Sequence, residues 1–482
     1  MSVTETAYGK LRGTEIADGI IAWRGVPYAR PPLGELRLRP PQHPEPWTGV
    51  RDAADPGNRS LQPEPVVPES GGLPAPMDED CLYLTVTAPA GAAHRPVLFW
   101  IHGGGYEMGD GTRQAGDGAA FARSHGLVVV TFNYRLGALG FLDVPGEGPT
   151  GAFGLHDQIA ALRWTHENIA AFGGDPNQIT VYGWSAGGKT VTNLLASPLT
   201  KGLIARAAES SGGDHLKDPV QARDLTGRFL RELGTTSGRI RAVPAADILA
   251  AQLAIAVPPR SSWIWRPSID GAALTSHPHT AIGAGAAAGI PLLLQTCVRE
   301  SVYSQVIAPD AADQADRVLT GYFGAEGKDK LLAAYAASRP GLDDEALRVA
   351  IMTDERYVVR TERLAAAHGA YAPVWRSRYD GPYTGFAAGP EYARYEELMT
   401  GVHGADMVGI WQGGAGLAAT LHDAWGAFAT SGDPGWARYN ASGRPAMIVA
   451  ATPGQTLEDD PFAEPRELWA GLNWQPGSWW RY

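Results

Sequence analysis

Val181-Tyr182-Gly183-Trp184-Ser185-Ala186-Gly187-Gly188 decides how the chain is read. The β-branched and aromatic run Ile179-Thr180-Val181-Tyr182 leads into it, and Thr190-Val191-Thr192-Asn193-Leu194-Leu195 continues it as a helix. A serine between two glycines, where a strand turns directly into a helix, is the pattern of a nucleophile elbow. Gly183 and Gly187 stand where a Cβ is least tolerable in so tight a turn. The turn lifts the Ser185 hydroxyl clear of the sheet, and the helix that follows aims its first amides at the same point.

Upstream, the apolar run Pro96-Val97-Leu98-Phe99-Trp100-Ile101 ends abruptly in His102-Gly103-Gly104-Gly105-Tyr106. Ligands of open α/β sheets bind beyond the carboxyl ends of strands. Consecutive glycines there leave backbone amides uncovered, and such a motif supplies oxyanion donors together with the amide after the nucleophile. Gly104, Gly105 and Ala186 are therefore the expected oxyanion hole. Trp184 and Tyr106 are the expected pocket walls by their nearness to the two motifs; Trp263 and Trp265 are weaker guesses.

Outward from these motifs the pattern is strand alternating with helix. Leu127–Arg135 is a buried strand, and Leu155, Ile159, Leu162 and Ile169 lie on one face of a helix stopped by Gly173-Gly174. Residues 218–255 and 311–371 read as helix-rich; Gly289–Leu294 and Ala372–Tyr379 read as late strands. Continuous apolar strands alternating with helices imply an α/β architecture with a mostly parallel sheet covered on both faces. The Gly- and Pro-rich first 60 residues read as an N-terminal antiparallel meander, and 53–78 as a surface loop, disordered or serving as a lid. No break in composition or internal repeat divides the chain, so one domain over 1–482 is expected.

The 482 residues are 44% hydrophobic and 19% charged, a globular balance with a sizeable core. A net charge of −11 argues against nucleic acid or an anionic membrane as partner. With two cysteines, Cys81 and Cys297, the chain does not resemble a secreted disulfide scaffold. The first residues lack a basic and apolar leader pattern, and no 18-residue apolar run occurs. The cytoplasm is the expected location.

A serine hydroxyl needs a base, usually a histidine oriented by a carboxylate, and in this kind of sheet the chain order is serine, acid, histidine. The downstream histidines are His215, His277, His279, His368, His403 and His422. His403, between Gly401 and Gly404, sits where the backbone can turn and present the ring. Glu300 follows a buried strand after a short loop, as an acid partner would; an exposed loop carboxylate is the competing reading.

These residues together resemble the type B carboxylesterases, the family of para-nitrobenzyl-type esterases, animal carboxylesterases and cholinesterases. The resemblance is carried by Gly25-Val26-Pro27-Tyr28-Ala29 with Leu36-Arg37, and by Glu79-Asp80-Cys81-Leu82-Tyr83-Leu84. It continues through Asn133–Phe141, Gly154-Leu155-His156-Asp157-Gln158 and Phe172-Gly173-Gly174-Asp175-Pro176. It implies an α/β-hydrolase fold in which Ser185, Glu300 and His403 form the triad and Ser211 supports the acid. It also implies structural ion pairs Arg37–Glu79 and Arg135–Asp157.

The sequence departs from the family where Trp184 replaces a usual glutamate, and where Gln295 and Ser301 replace glycines around the acid. Residues 1–80 hold no cysteine to pair with Cys81, so a free thiol is expected there. The implied activity is hydrolysis of a small or medium neutral, apolar ester through an acyl-enzyme, with no metal or organic cofactor. Amide or carbamate hydrolysis, or acyl transfer on the same triad, is the alternative; a non-catalytic binding protein is the rival from another class. Oligomeric state is not readable.

Overall fold

The structure, a computed structural model, describes residues 2–63, 75–111, 117–146, 148–255, 264–303, 311–383, 399–452, 454–472 and 474. The strands are β1 (Ser2–Thr6), β2 (Gly9–Ala17), β3 (Ile20–Pro27), β4 (Val50–Asp52), β5 (Tyr83–Pro89), β6 (Arg95–Ile101) and β7 (Val128–Phe132). There follow β8 (Gly174–Trp184), β9 (Arg206–Ser210), β10 (Leu292–Cys297), β11 (Val374–Tyr379), β12 (Ala446–Val449) and β13 (Gln455–Glu458).

They join in the order β1-β2-β3-β5-β7-β6-β8-β9-β10-β11-β12-β13, with β4 beside β2. From β7 to β12 every neighbour is parallel. From β1 through β7 the successive pairs are antiparallel, and β13 closes the far edge antiparallel to β12. This is the expected α/β-hydrolase fold: a parallel centre and an N-terminal antiparallel meander.

The apolar strands alternate between two buried faces, as the two-residue side-chain period of a strand requires. Val97, Phe99 and Ile101 of β6 join Val128, Val130, Ile179 and Val181 in one core. Leu98 and Trp100, one residue out of phase, join Val129, Tyr182, Leu293 and Trp375 on the other side. The helix Phe153–Asn168 packs into the first core; Leu417–Ser431 packs into the second through Trp425 and Phe428.

Register sets the carboxyl ends of the central strands level. Ile101 pairs with Gly183, Trp184 with Ser210, and Ser210 with Gln295. The residues just past each strand, Gly103–Gly105, Ser185, Ser211 and Glu300, therefore emerge along one edge.

Two buried ion pairs brace the loops there, both anticipated by the family resemblance. Arg37 donates from Nε to Glu79 at 2.7 Å. Arg135 forks onto Asp157 from Nε at 2.8 Å and Nη2 at 2.7 Å. Removing one partner of such a buried pair costs about 3–5 kcal/mol, because the other charge is left behind in a dry site. Cys81 and Cys297 are both buried free thiols.

Candidate active site

Ser185 stands between β8 and the helix Ala186–Ala196 with φ 57° and ψ −118°, a strained backbone for a non-glycine residue. Its glycines are sterically obligatory. A Cβ on Gly183 would lie 2.1 Å from the Gly187 carbonyl oxygen, and one on Gly187 would lie 2.0 Å from that of Ile101.

The Ser185 hydroxyl lies 2.8 Å from His403 Nε2. His403 Nδ1 lies 2.6 Å from Glu300 Oε2. An ionised carboxylate only accepts, so Nδ1 donates to Glu300 and Nε2 is left to accept from Ser185. All three side chains are buried.

Glu300 is fixed from its other oxygen: Oε1 accepts from Ser211 Oγ at 2.7 Å and from the Cys297 amide at 2.7 Å. The expected support from Ser211 is thus present as a hydrogen bond. The substituted residues near the acid are also engaged. Gln295 donates from Nε2 to Asp406 at 2.5 Å and accepts from Ser377 Oγ at 2.9 Å; the Ser301 amide donates to Thr353 Oγ1 at 3.0 Å.

Asp406, three residues after His403, was not singled out from sequence. It is fully buried beneath the site and also accepts from Ser210. Burial pushes its carboxyl above the usual range.

His403 is boxed by rings. Trp184 stacks on it with centroids 5.2 Å apart at 29°, and Tyr357 lies at 4.9 Å. Trp184 therefore packs on the imidazole and remains partly exposed. Gly103 and Gly404 have no room for a Cβ, which would lie within 2.5 Å and 2.7 Å of the indole. Tyr357 comes from a π-type turn, Asp354–Val358, set between the helices Asp344–Thr353 and Val359–His368.

Beside Ser185 is a narrow cleft with only about 10 Å³ of free space, lined by Gly105, Tyr106, Ser185, Ala186, Lys189, His215 and Arg266. Gly105, Ala186 and Tyr106 were expected here. Gly104 forms the turn behind them, with φ 105° and its carbonyl accepting from the Glu107 and Met108 amides at 3.0 Å. Lys189, His215 and Arg266 were not assigned a role from sequence. Lys189 had a readable signal: it lies four residues after Ser185 in the helix that the serine opens, hence on the same face.

Three of the other candidate histidines are held elsewhere. His277 lies 3.6 Å from Asp214. His368 reaches the Ile290 carbonyl at 2.7 Å, and His422 reaches Ser124 at 2.6 Å. Trp265 packs edge-on to Phe229 at 5.5 Å; Trp263 and the middle of the 53–78 loop lie outside the described residues. Among the described residues no helix is long and apolar enough to cross a membrane.

A serine at the head of a helix, hydrogen-bonded to a histidine that is hydrogen-bonded to a carboxylate, on this sheet, defines an ester-hydrolysing enzyme of the α/β-hydrolase fold. The comparisons with known proteins narrow that class. The model of the carboxylesterase family matches residues 1–446, and the chain belongs to that family. It is 35% identical to the para-nitrobenzyl esterase of Bacillus subtilis (strain 168), over 96% of this chain and 98% of that one. It is 33% identical to the fumonisin B1 esterase of Sphingopyxis macrogoltabida, over 92% of this chain and 85% of that one. Among solved structures, a PNB esterase superposes with a TM-score of 0.83 at 33% identity, covering 97% of this chain and 99% of that one. A Geobacillus stearothermophilus carboxylesterase gives 0.82 at 34% identity, covering 97% and 100%.

Proposed function

We propose that the protein hydrolyses carboxylic esters with Ser185 as nucleophile, His403 as base and acid, and Glu300 as the group that orients the imidazole. The observation that carries this is the unbroken chain of short hydrogen bonds from Ser185 through His403 to Glu300. Ser185 Oγ bonds to the ester carbon while His403 Nε2 takes its proton. The oxyanion that forms is held by the amides of Ala186 and of the Gly104-Gly105 turn, where losing one donor typically costs about 3 kcal/mol of barrier.

The carbon–oxygen bond to the alcohol then breaks, and His403 returns the proton to the departing oxygen. In the second half, water adds to the acyl carbon, gives its proton to His403, and the Ser185–carbon bond breaks. One water is consumed; one acid and one alcohol are released.

Supporting this role for Glu300 are its two further hydrogen bonds, which leave Oε2 aimed at the imidazole. A single domain over 1–482 belongs to the same reading, supported by one continuous sheet order from β1 to β13. So does a cytoplasmic location, supported by two buried free thiols.

The test is hydrolysis of short- and medium-chain para-nitrophenyl esters by the purified protein and by Ser185→Ala. The expected loss in kcat is roughly a million-fold. Retention of more than about a hundredth of the turnover, with no labelling of the wild-type serine by an organophosphonate, would remove Ser185 from the mechanism.

A further inference from the structure

One row across the sheet is polar where its surroundings are apolar. Ser210 of β9, Gln295 of β10 and Ser377 of β11 stand at paired positions on neighbouring strands, so their side chains share a face. That face belongs to the core of Leu98, Trp100, Tyr182, Leu293, Cys297 and Tyr379. All three polar residues are buried, and so is Asp406, which lies against them. Buried polar groups are costly unless hydrogen-bonded, so such a row keeps its place through its partners.

The hydrogen bonds converge on Asp406. Ser377 Oγ donates to Gln295 Oε1 at 2.9 Å, and Gln295 Nε2 donates to Asp406 Oδ2 at 2.5 Å. Ser210 Oγ donates to the same oxygen, and the Cys297 thiol faces Asp406 Oδ1 at 3.6 Å. Three donors on two oxygens suit a carboxylate, which only accepts. Burial pushes the Asp406 carboxyl up, and the charge of Glu300 adds to this; the bonds from Ser210 and Gln295 pull the other way.

The row meets the triad at two points. Ser211, next to Ser210, and the Cys297 amide both donate to Glu300 Oε1 at 2.7 Å. Asp406 shares a tight turn with His403, closed by the amides of Ala405 on Val402 and of Met407 on Gly404 at 3.0 and 3.2 Å. Backbone bonds join this turn to the acid loop: the Arg299 amide donates to Gly401 at 2.7 Å, and the His403 amide to Glu300 at a longer 3.3 Å. The Asp406 side chain adds a link from the turn to β9 and β10.

Taking Ser185, His403 and Glu300 as the triad of the preceding section, we propose that Gln295 is a positioning residue. By donating to Asp406 it clamps the His403 turn onto the sheet and sets the imidazole between Ser185 and Glu300. It acts through His403 and takes no part in the bond changes. The glycine usual at this position in the family has no side chain to reach Asp406, so the clamp belongs to this chain. Misplacing a catalytic group by about 1 Å costs about a hundredfold in rate, which gives such a clamp a measurable effect.

The test measures kcat and KM for benzyl butyrate, per serine titrated with an organophosphonate, in Gln295→Leu and Gln295→Glu. Leucine fills a similar space without the donor. Its kcat should fall about tenfold with KM within about twofold of the wild type. Counting titrated serines keeps loss of folded protein from passing as loss of rate.

Gln295→Glu keeps the shape and makes the clamp pH-dependent. While protonated, the introduced acid donates to Asp406 and accepts from Ser377, as the amide does. As pH rises that proton is lost and two buried carboxylates face each other. The ratio of kcat/KM in this variant to that in the wild type should stay near one at about pH 5.5 and fall about tenfold by about pH 9. Tyr182, Tyr379, Tyr383 and Cys297 also feel the Asp406 charge, but burial holds each above its ordinary range and so neutral throughout. Titrations common to both proteins, Lys189 among them, cancel in the ratio.

Wild-type kcat per site in Gln295→Leu, or a pH-flat ratio in Gln295→Glu, overturns the proposal and leaves the triad standing. If Gln295→Leu yields no titratable serine, the pH ratio decides alone. A Gln295→Glu protein without titratable serine even at about pH 5.5 also overturns it, because the protonated acid keeps both hydrogen bonds. If the wild type neither turns over an ester nor takes the label, the triad itself fails, and this role with it.

Discussion

The two sides of Ser185 are built on opposite principles. On the His403 side both oxygens of the acid are engaged: Glu300 Oε2 takes the imidazole, Oε1 takes Ser211 and the Cys297 amide. Two aromatic rings, Trp184 and Tyr357, pack against the imidazole. On the pocket side, basic side chains from three parts of the chain meet in one small wall, with Lys189 donating to the Gly212 carbonyl at 2.7 Å and His215 lying 3.9 Å from Glu355. A proton relay needs fixed geometry and little change in net charge. One residue, Tyr357, touches both sides, with its ring near His403 and under the Lys189 ammonium.

The sharpest way to break this comparison is Glu300→Gln. An amide cannot favour the imidazolium, and a fall in kcat of roughly ten-thousand-fold is expected. A loss below about tenfold, measured on benzyl butyrate, would make Glu300 a structural residue and direct attention to the second buried carboxylate, Asp406.

Trp184→Ala should act more mildly and on the relay alone. Losing an aromatic stack worth about 0.5–1.5 kcal/mol predicts a three- to tenfold drop in kcat with KM little changed. A raised KM at constant kcat would instead return Trp184 to the pocket.

The smallest effect belongs to Lys189. Its neighbours are Arg360 and Arg266 on one sign, Glu209 and Glu300 on the other, and burial holds it down to about 7. It loses its charge as pH rises through that value, so kcat/KM for benzyl butyrate relative to that of Lys189→Met should change by a few-fold between about pH 6 and pH 8. The profile to measure is the ratio of kcat/KM for the wild type and Lys189→Met, which reports the free enzyme. A flat ratio would separate the Lys189 charge from the reaction.

Local chemistry made some parts of this molecule readable from sequence and hid others. The elbow was legible because three requirements fall within five residues: two glycines, a serine and a following helix. Strands β6, β7 and β10 were legible because continuous Val, Leu, Ile and Phe runs have few other uses. Strand β9 was not. Its Arg206–Ser210 stretch is rich in Ala and ends in Glu and Ser, weak strand formers. Its place between β8 and β10 holds it extended.

His403 and Glu300 could be narrowed by turn chemistry and chain order, yet their meeting is a tertiary fact across 103 residues. The pocket cations were hidden for the same reason. Arg266 has no local signature, and only Lys189 sits at a readable helical offset from the serine. Nearness to the nucleophile in sequence did not say that the Trp184 indole stacks on His403.

The π-type turn Asp354–Val358 has a consequence for how this enzyme can change. A helix advances about 100° per residue, so one deleted residue there would leave both flanking helices intact while swinging Tyr357 away. The imidazole and the ammonium would lose the same ring together. Length variation at this single spot is therefore a coarse dial, retuning rate and selectivity in one step, whereas point changes elsewhere in the site tune them separately.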